Sequence, residues 1–201
     1  MITGLNKLSL ALLLAVGITP AHAAYIESGD ASNYLASAQL ATDMLIQGTI
    51  GQRDAGDVYR FVFGTGGVLT IHAAAGVGTT LDPNIALFDA GFQMLAANDD
   101  WGGSLDSMLT YAISAGTYYI GIGDSEMYMI NASNQAAVMD GLAPAGFGPV
   151  SRIDTLTTID PGAYTLTLSV QPRSRSVPEP ATTALLGLGL LGLGMMRRRR
   201  A

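Results

Sequence analysis

The chain has 201 residues, 10 basic against 16 acidic side chains, a net charge of −6 and no cysteine. This balance excludes a nucleic-acid-binding protein, which needs excess Lys and Arg, and the lack of cysteine excludes disulfide scaffolds and Cys-based metal sites. With 49% hydrophobic and only 13% charged residues, the chain buries enough apolar surface to fold and is not intrinsically disordered.

The first 23 residues have the pattern of a secretory signal peptide. A single cation, Lys7, precedes the apolar run 8–18, and Ala21-His22-Ala23 follows Pro20. The apolar run is about 11 residues, too short to span a bilayer as a helix. We predict cleavage after the A-x-A site formed by Ala21 and Ala23, so that the mature chain begins at Ala24.

Residues 24–47 form a lead segment, in which the Ala and Leu content of 33–43 favours a helix. A β-domain follows over 48–170, because short alternating runs separated by turn residues are typical of a sandwich or barrel. The predicted strands are 45–50, 57–63, 68–73, 84–88, 92–97, 107–113, 117–122 and 163–170. In 57–63 the alternation places Tyr59, Phe61 and Phe63 in the core and Arg60 in solvent.

The order of several weak motifs resembles the bacterial pre-peptidase C-terminal (PPC) domain. The motifs are 56–61 (GDVYRF), 67–71 (GVLTI), 81–89 (LDPNIALFD), 95–100 (LAANDD), 115–120 (AGTYYI) and 162–166 (GAYTL). The resemblance implies an all-β, jelly-roll-like β-sandwich that is non-catalytic and serves surface attachment or stabilisation of an exported protein. The sequence departs from that pattern at 124–160, which we interpret as a long loop insertion, followed by a linker over 171–177.

The domain is strongly acidic, and this makes a calcium site the sharpest chemical possibility. Residues 24–170 contain 15 carboxylates and three arginines, a net charge of −12, and such a surface attracts divalent cations. Calcium takes six to eight oxygen ligands and tolerates irregular loops, although Asp and Asn are also ordinary turn residues. The candidate ligands, in or beside two loops, are Asp82, Asn84, Asn98, Asp99, Asp100 and Asp106.

Catalysis has little support in the sequence, and we predict no enzymatic activity. His72 alternates with core residues of its strand and is expected to be a solvated surface histidine. The pair Asp99-Asp100 has the residue type of a glycosidase, but it lies beside Gly102-Gly103 without an aromatic platform. Trp101, the only tryptophan, is either a core cap, which we favour, or an exposed residue for stacking on a sugar.

The C-terminal segment 178–201 combines three features in a fixed order. Val177 precedes Pro178-Glu179-Pro180, an uncharged stretch follows over 181–196, and Arg197, Arg198, Arg199 and Arg200 come next. Sixteen helical residues reach about 24 Å, which spans a bilayer with flanking residues and local thinning, and the arginines stay on the cytoplasmic side. An ordinary tail anchor explains the helix and the arginines but not Pro-Glu-Pro.

This arrangement closely resembles the PEP-CTERM sorting signal. The resemblance implies a Gram-negative bacterium, export by the secretion machinery, an inner-membrane intermediate, and processing near Pro178 by an exosortase, with delivery to the cell surface or extracellular matrix. The leading interpretation is a non-catalytic surface or matrix protein associated with exopolysaccharide or adhesion, requiring no cofactor except possible calcium. One alternative is a ligand-specific carbohydrate- or protein-binding module, whose binding depends on calcium if the calcium site exists. The other is a secreted hydrolase.

Overall fold

The computed structural model describes residues 23–52, 54–138, 144–155 and 160–173. Regular structure in these residues consists of strands and one turn of 3₁₀ helix at Leu35–Ser37. The strands are β1 Tyr25–Ile26, β2 Gln39–Leu40, β3 Leu45–Ile50, β4 Asp57–Phe63, β5 Gly67–Ala75, β6 Pro83–Phe88, β7 Met94–Asn98, β8 Ser107–Ile113, β9 Gly116–Asp124, β10 Met127–Asn131, β11 Ala136–Val138, β12 Val150–Thr155 and β13 Gly162–Pro172.

The prediction of an all-β sandwich is confirmed, and the sandwich consists of two five-stranded sheets. The first sheet has the order β1-β3-β13-β5-β8, and the second has the order β2-β4-β9-β6-β7. Their facing sides enclose one apolar cluster that includes Phe61, Leu69, Ile85, Ile120 and Leu166. The strands alternate inward and outward residues, so each sheet contributes every second side chain to this core.

The alternation predicted for β4 is confirmed on its inner face. Tyr59, Phe61 and Phe63 are buried, whereas Arg60 is exposed. Val58 breaks the simple pattern because it lies on the outer face and is nevertheless fully buried. A further layer of structure therefore covers part of the outer face of the second sheet.

That layer is a third sheet of order β11-β10-β12. It comes from the segment 124–160, expected as a long loop. A second apolar cluster joins Val58 and Phe88 of the second sheet to Met127, Met129 and Ile153 of the third. The third sheet thus packs on the outer side of the sandwich, and the molecule has three β layers.

The remaining differences from the expectations lie near the N-terminus. The helix expected over 33–43 is wrong, because only the 3₁₀ turn forms there and Gln39–Leu40 pairs with β4 in parallel. Strands β1 and β2 belong to the sandwich sheets, and β3 crosses the predicted boundary between the lead segment and the β-domain at residue 47. Residues 1–22 of the predicted signal peptide, including Ala21, and the sorting residues from Val177 onward lie outside the described residues. Within the described ranges, no helix has the length and apolar character needed to cross a membrane.

Candidate functional site

Three carboxylates from separate segments meet beside the sandwich core: Glu27, Asp30 and Asp57, hereafter the N-terminal acidic cluster. One carboxylate oxygen of each lies within 4.8 Å of the others. Glu27 follows β1, whose parallel pairing with β3 continues through the Glu27 N–H, which donates to the Gln47 carbonyl at 2.9 Å. Asp57 is the first residue of β4. The pairing of β1 onto the first sheet therefore assembles the cluster.

Asp57 is the most unusual member because its carboxyl group is completely buried. Its Oδ2 accepts a hydrogen bond from the Tyr164 hydroxyl at 2.6 Å, and that hydroxyl lies 2.6 Å from the hydroxyl of Tyr59. Its Oδ1 is also buried and has no hydrogen-bond partner among the described residues. A buried carboxylate oxygen without a partner is costly, and it normally indicates a missing ligand or a proton.

Burial shifts the protonation equilibrium of this group. Desolvation raises the pKa of Asp57 to about 9; the Tyr164 hydrogen bond opposes this rise, and the charges of Glu27 and Asp54 add to it. Desolvation likewise raises the pKa of Asp54 to about 6, against hydrogen bonds from the Gly56 and Gly51 N–H groups. Without a cation the buried carboxyl group is therefore protonated at neutral pH.

The cluster has the oxygen donors and the spacing of a calcium site. Two oxygens that each lie about 2.4 Å from a calcium ion are at most about 4.8 Å apart, and one oxygen of each of the three carboxylates lies within that separation of the others. Glu27 is already held in place, because Oε1 accepts from the Ala31 N–H at 2.7 Å and Oε2 from the Thr49 N–H at 2.9 Å. The residues present fit a hard divalent cation.

An open cavity of about 610 Å³ borders two members of the cluster, Glu27 and Asp30. Glu27, Asp30, Gly48 and Tyr164 are among its lining residues. Position 48 requires glycine, because a Cβ there would collide with the Tyr164 hydroxyl and would lie 2.8 Å from Glu27 Oε2. The sequence of β3 thus leaves room for the carboxylates.

The six residues predicted from sequence as calcium ligands do not all come together. Asp106 accepts from the Ala75 N–H at 3.2 Å and lies 3.9 Å from His72 Nε2, on the outer side of the first sheet. Asn98 Oδ1 accepts from the Met108 N–H at 3.1 Å, a bond to β8. These two side chains make structural contacts of their own.

The other predicted ligands lie around the start of β6. Asp82 and Asn84 each have a buried Oδ1 without a hydrogen-bond partner among the described residues. Desolvation raises the pKa of Asp82, and the charges of Asp100, Asp160 and Asp124 contribute further. Since Ile85 pairs with Asn98, Asp99 lies one step beyond that pair, beside Asn84.

His72 and Trp101 pack together on the surface, with His72 beside Asp106 and Trp101 next to Asp100 in the chain. The rings pack edge to face with centroids 6.3 Å apart. His72 is partly exposed, as expected for a strand histidine. Trp101 is 49% exposed, so the favoured prediction that it caps the core is wrong. The residue is held in a tight turn through the backbone bridge to Ser104 rather than drawn into the sandwich.

Sequence reasoning missed Glu27, Asp30 and Asp57, although one signal for Asp57 was present. Every second residue of a strand faces the same side, so the alternation that places Tyr59, Phe61 and Phe63 in the core also turns Asp57 inward. Nothing comparable marks Glu27 or Asp30, because their place depends on the two-residue strand β1 pairing with β3.

Comparison with known proteins identifies the C-terminal signal. Residues 176–200 match the PEP-CTERM protein-sorting motif. The predicted sorting signal is confirmed, and it marks the chain as an exported protein of the kind found in Gram-negative bacteria. A comparison with curated proteins finds no match.

Two solved structures are similar in fold at low sequence identity. One is the pre-peptidase C-terminal domain of a collagenase from Bacillus anthracis, with TM-score 0.40 and 14% identity over 66% of this chain and 94% of that one. The other is PliG from Aeromonas hydrophila, a periplasmic inhibitor of g-type lysozyme, with TM-score 0.33 and 13% identity over 73% of this chain and 100% of that one.

Proposed function

We propose that this chain is a non-catalytic protein that an exosortase processes and delivers to the cell surface or extracellular matrix. The match of residues 176–200 to the PEP-CTERM motif carries the proposal. The exosortase acts near Pro178-Glu179-Pro180 while the segment before Arg197 is held in the inner membrane. The acidic sandwich then remains outside, associated with the exopolysaccharide layer or with adhesion.

Intact mass spectrometry of the protein from its native host tests this proposal. We expect the envelope or medium fraction to contain a chain that starts at Ala24 and ends near Pro178. A mass that includes residues 178–201 in every fraction would contradict exosortase processing and make the protein a tail-anchored one. A pull-down with matrix polysaccharide and a glycan array then distinguish a defined ligand from a structural role.

A second candidate function is calcium-dependent binding, and the buried Oδ1 of Asp57 favours it. A cation there would be ligated by carboxylates of Glu27, Asp30 and Asp57, and its charge would balance theirs. Because Glu27 and Asp30 belong to the segment around β1, calcium would fix that segment to the sandwich. Any ligand surface next to the cavity would then form only with calcium present.

Calorimetric titration of the EDTA-treated full chain with calcium chloride tests this second function. We expect Asp57→Asn to weaken binding at this cluster at least tenfold, because the amide keeps the shape but loses the charge. Asp43→Asn is the matched control, since Asp43 is partly exposed and bonds only its neighbour Thr42 among the described contacts. Equal titrations for all three proteins would remove the cluster as a calcium site.

A further inference from the structure

We propose that the outer face of the first sheet binds an uncharged polysaccharide, with Trp101 stacking on a sugar ring and strand hydroxyls bonding to the sugar beside it. This surface deepens the association with the exopolysaccharide layer proposed above, on which the inference rests, by giving the ligand a place and a chemical class. None of its residues belongs to the N-terminal acidic cluster, so polysaccharide binding and calcium binding can be measured separately.

Three neighbouring strands of the first sheet lack acidic residues, Lys and Arg. β13, β5 and β8 lie side by side, and their sequences contain no Asp, Glu, Lys or Arg. Residues 24–170 as a whole have 15 carboxylates against three arginines. The third sheet packs on the second, so no described element covers the outer face of these three strands. An uncharged, open face on so acidic a domain favours a neutral partner over a basic one.

Hydroxyl groups form a row across these strands. Thr70 of β5 pairs with Thr110 of β8 on one side and with Ser169 of β13 on the other. These three residues, hereafter the hydroxyl row, face outward because Leu69 and Ile71 on either side of Thr70 are buried in the core. No hydrogen bond within the described residues involves their hydroxyls. Each hydroxyl is therefore available to donate one hydrogen bond and to accept two.

Trp101 supplies a stacking surface next to this row. Its side chain is 49% exposed and packs edge to face with His72, which shares the outer face of β5 with Thr70. That contact occupies at most one face of the indole, and the exposed remainder can stack on the apolar C–H face of a sugar ring. The turn holds the Trp101 backbone, because the Ser104 N–H and hydroxyl donate to its carbonyl at 3.1 Å and 2.9 Å. An aromatic residue on a fixed backbone loses less freedom on binding than one on a free loop.

Two carboxylates near Trp101 favour a neutral polysaccharide over an anionic one. Asp100 precedes Trp101 in the chain, and an oxygen of Asp106 lies 3.9 Å from His72 Nε2. A carboxylate accepts hydrogen bonds from sugar hydroxyls, but it repels a polymer that carries carboxylate or sulfate groups. The ligand class that matches the whole surface is therefore an uncharged chain of sugars.

Binding of the chain purified from its native host to that host's matrix polysaccharide tests the proposal. The probe is protease-treated polysaccharide, separated by anion exchange into a neutral and an acidic fraction, and EDTA is present so that calcium takes no part. We expect binding to the neutral fraction to be at least about tenfold tighter than to the acidic fraction. Absence of binding to the neutral fraction would overturn the proposal, whereas exosortase processing is still reported independently by intact mass. Binding that requires calcium, or that protease treatment of the matrix removes, would also overturn it.

Matched aromatic variants assign the binding to this face. We expect Trp101→Ala to weaken binding to the neutral fraction by at least about tenfold, and Trp101→Phe to retain most of the affinity. The control Tyr34→Ala removes a ring of similar exposure, 47%, that lies beside Arg152 of the third sheet. Equal affinities of the natural chain and Trp101→Ala would place the ligand elsewhere and overturn the proposal.

The hydroxyl row is tested by the double variant Thr70→Val with Thr110→Val. Valine keeps the β-branched shape, so we expect little change in Tm but at least about fivefold weaker binding, because two hydrogen bonds are lost. The control is Thr117→Val, since Thr117 pairs with the exposed Val62 on the outer side of the second sheet. Unchanged binding by the double variant would overturn the role of the row.

Size-exclusion chromatography of the natural chain tests whether a second copy covers this face instead. We expect the natural chain and Trp101→Ala to elute at the same volume. A dimer of the natural chain that Trp101→Ala dissociates would overturn the proposal and make the face an interface between copies.

Discussion

The buried residue Asp57 makes the stability of the fold depend on pH. Its pKa is raised to about 9 by desolvation, whereas an ordinary aspartate titrates at 3.8. The folded chain therefore holds a proton that the unfolded chain releases above pH 4. This proton stabilises the fold fully below pH 4, and the stabilisation is lost as pH rises toward 9.

We expect the free energy of unfolding in EDTA to fall between pH 5 and pH 9, by up to about 1.4 kcal/mol per pH unit for this one proton. Asp54, with its pKa raised to about 6, adds to the fall at the acidic end of the range. The other titratable groups near Asp57 are the carboxylates of Glu27 and Asp30 and the hydroxyls of Tyr59 and Tyr164. Urea unfolding at pH 5, 7 and 9 measures the slope.

The variant Asp57→Asn isolates the contribution of Asp57 to that slope. The amide cannot release a proton, so the variant should show a clearly flatter decline while it still accepts the hydrogen bond from Tyr164. An identical slope in both proteins would mean that Asp57 is ionised in the folded chain. The alternation of β4 turns Asp57 inward, but its raised pKa comes from burial in the assembled fold, and the opposing hydrogen bond comes from Tyr164, which lies 107 residues away.

At the scale of elements, strand β9 is shared by two packing layers, and its glycines make this possible. Ile120 and Ile122 point into the main core, while Gly121 and Gly123 lie under the third sheet. A Cβ on Gly121 would lie 3.3 Å from Ile153 and 3.4 Å from Phe88. The absence of side chains on this face lets the third sheet approach the second.

We expect Gly121→Val to destabilise the protein by about 1–3 kcal/mol, because the extra methyl groups overpack the contact with Ile153. The control is Gly64→Val in the turn after β4, where a Cβ meets nothing within 4 Å. Urea unfolding compares the two variants, and proteolysis reports whether β10 to β12 are released. Equal stability of both variants would show that the third sheet tolerates displacement.

The elements also show which features a sequence reveals. Apart from the two-residue strands β1 and β2, the strands of the two main sheets were predicted, because their inward residues alternate with polar or small ones against a single core. Strands β10 and β12 were not predicted, since their segment is rich in Gly, Pro and Met and resembles a loop. Met127 and Met129 do alternate with Tyr128. That pattern indicates a strand only when the outer face of β4 and β6 is known to be an apolar surface on which the two methionines can pack.

At the scale of the whole molecule, the sandwich lies between the predicted signal peptide and the residues that match the PEP-CTERM motif. Strand β13 ends at Pro172, shortly before the Pro-Glu-Pro segment. Proline fixes φ and lacks an N–H, so Pro178 and Pro180 disfavour a helix at the Pro-Glu-Pro segment that precedes the hydrophobic stretch. We expect a processing enzyme to require this departure from helix in order to reach the backbone.

We expect replacement of Pro178, Glu179 and Pro180 by alanine to abolish removal of the tail. Alanine is the best helix former, so the replacement favours a helix across positions 178–180 in place of the break that the prolines impose. Intact mass of the envelope-bound chain should then include residues 178–201. The control Arg173→Ala, outside the matched motif, should be processed normally. Normal processing of the triple-alanine chain would mean that the enzyme recognises the hydrophobic stretch and the arginines alone.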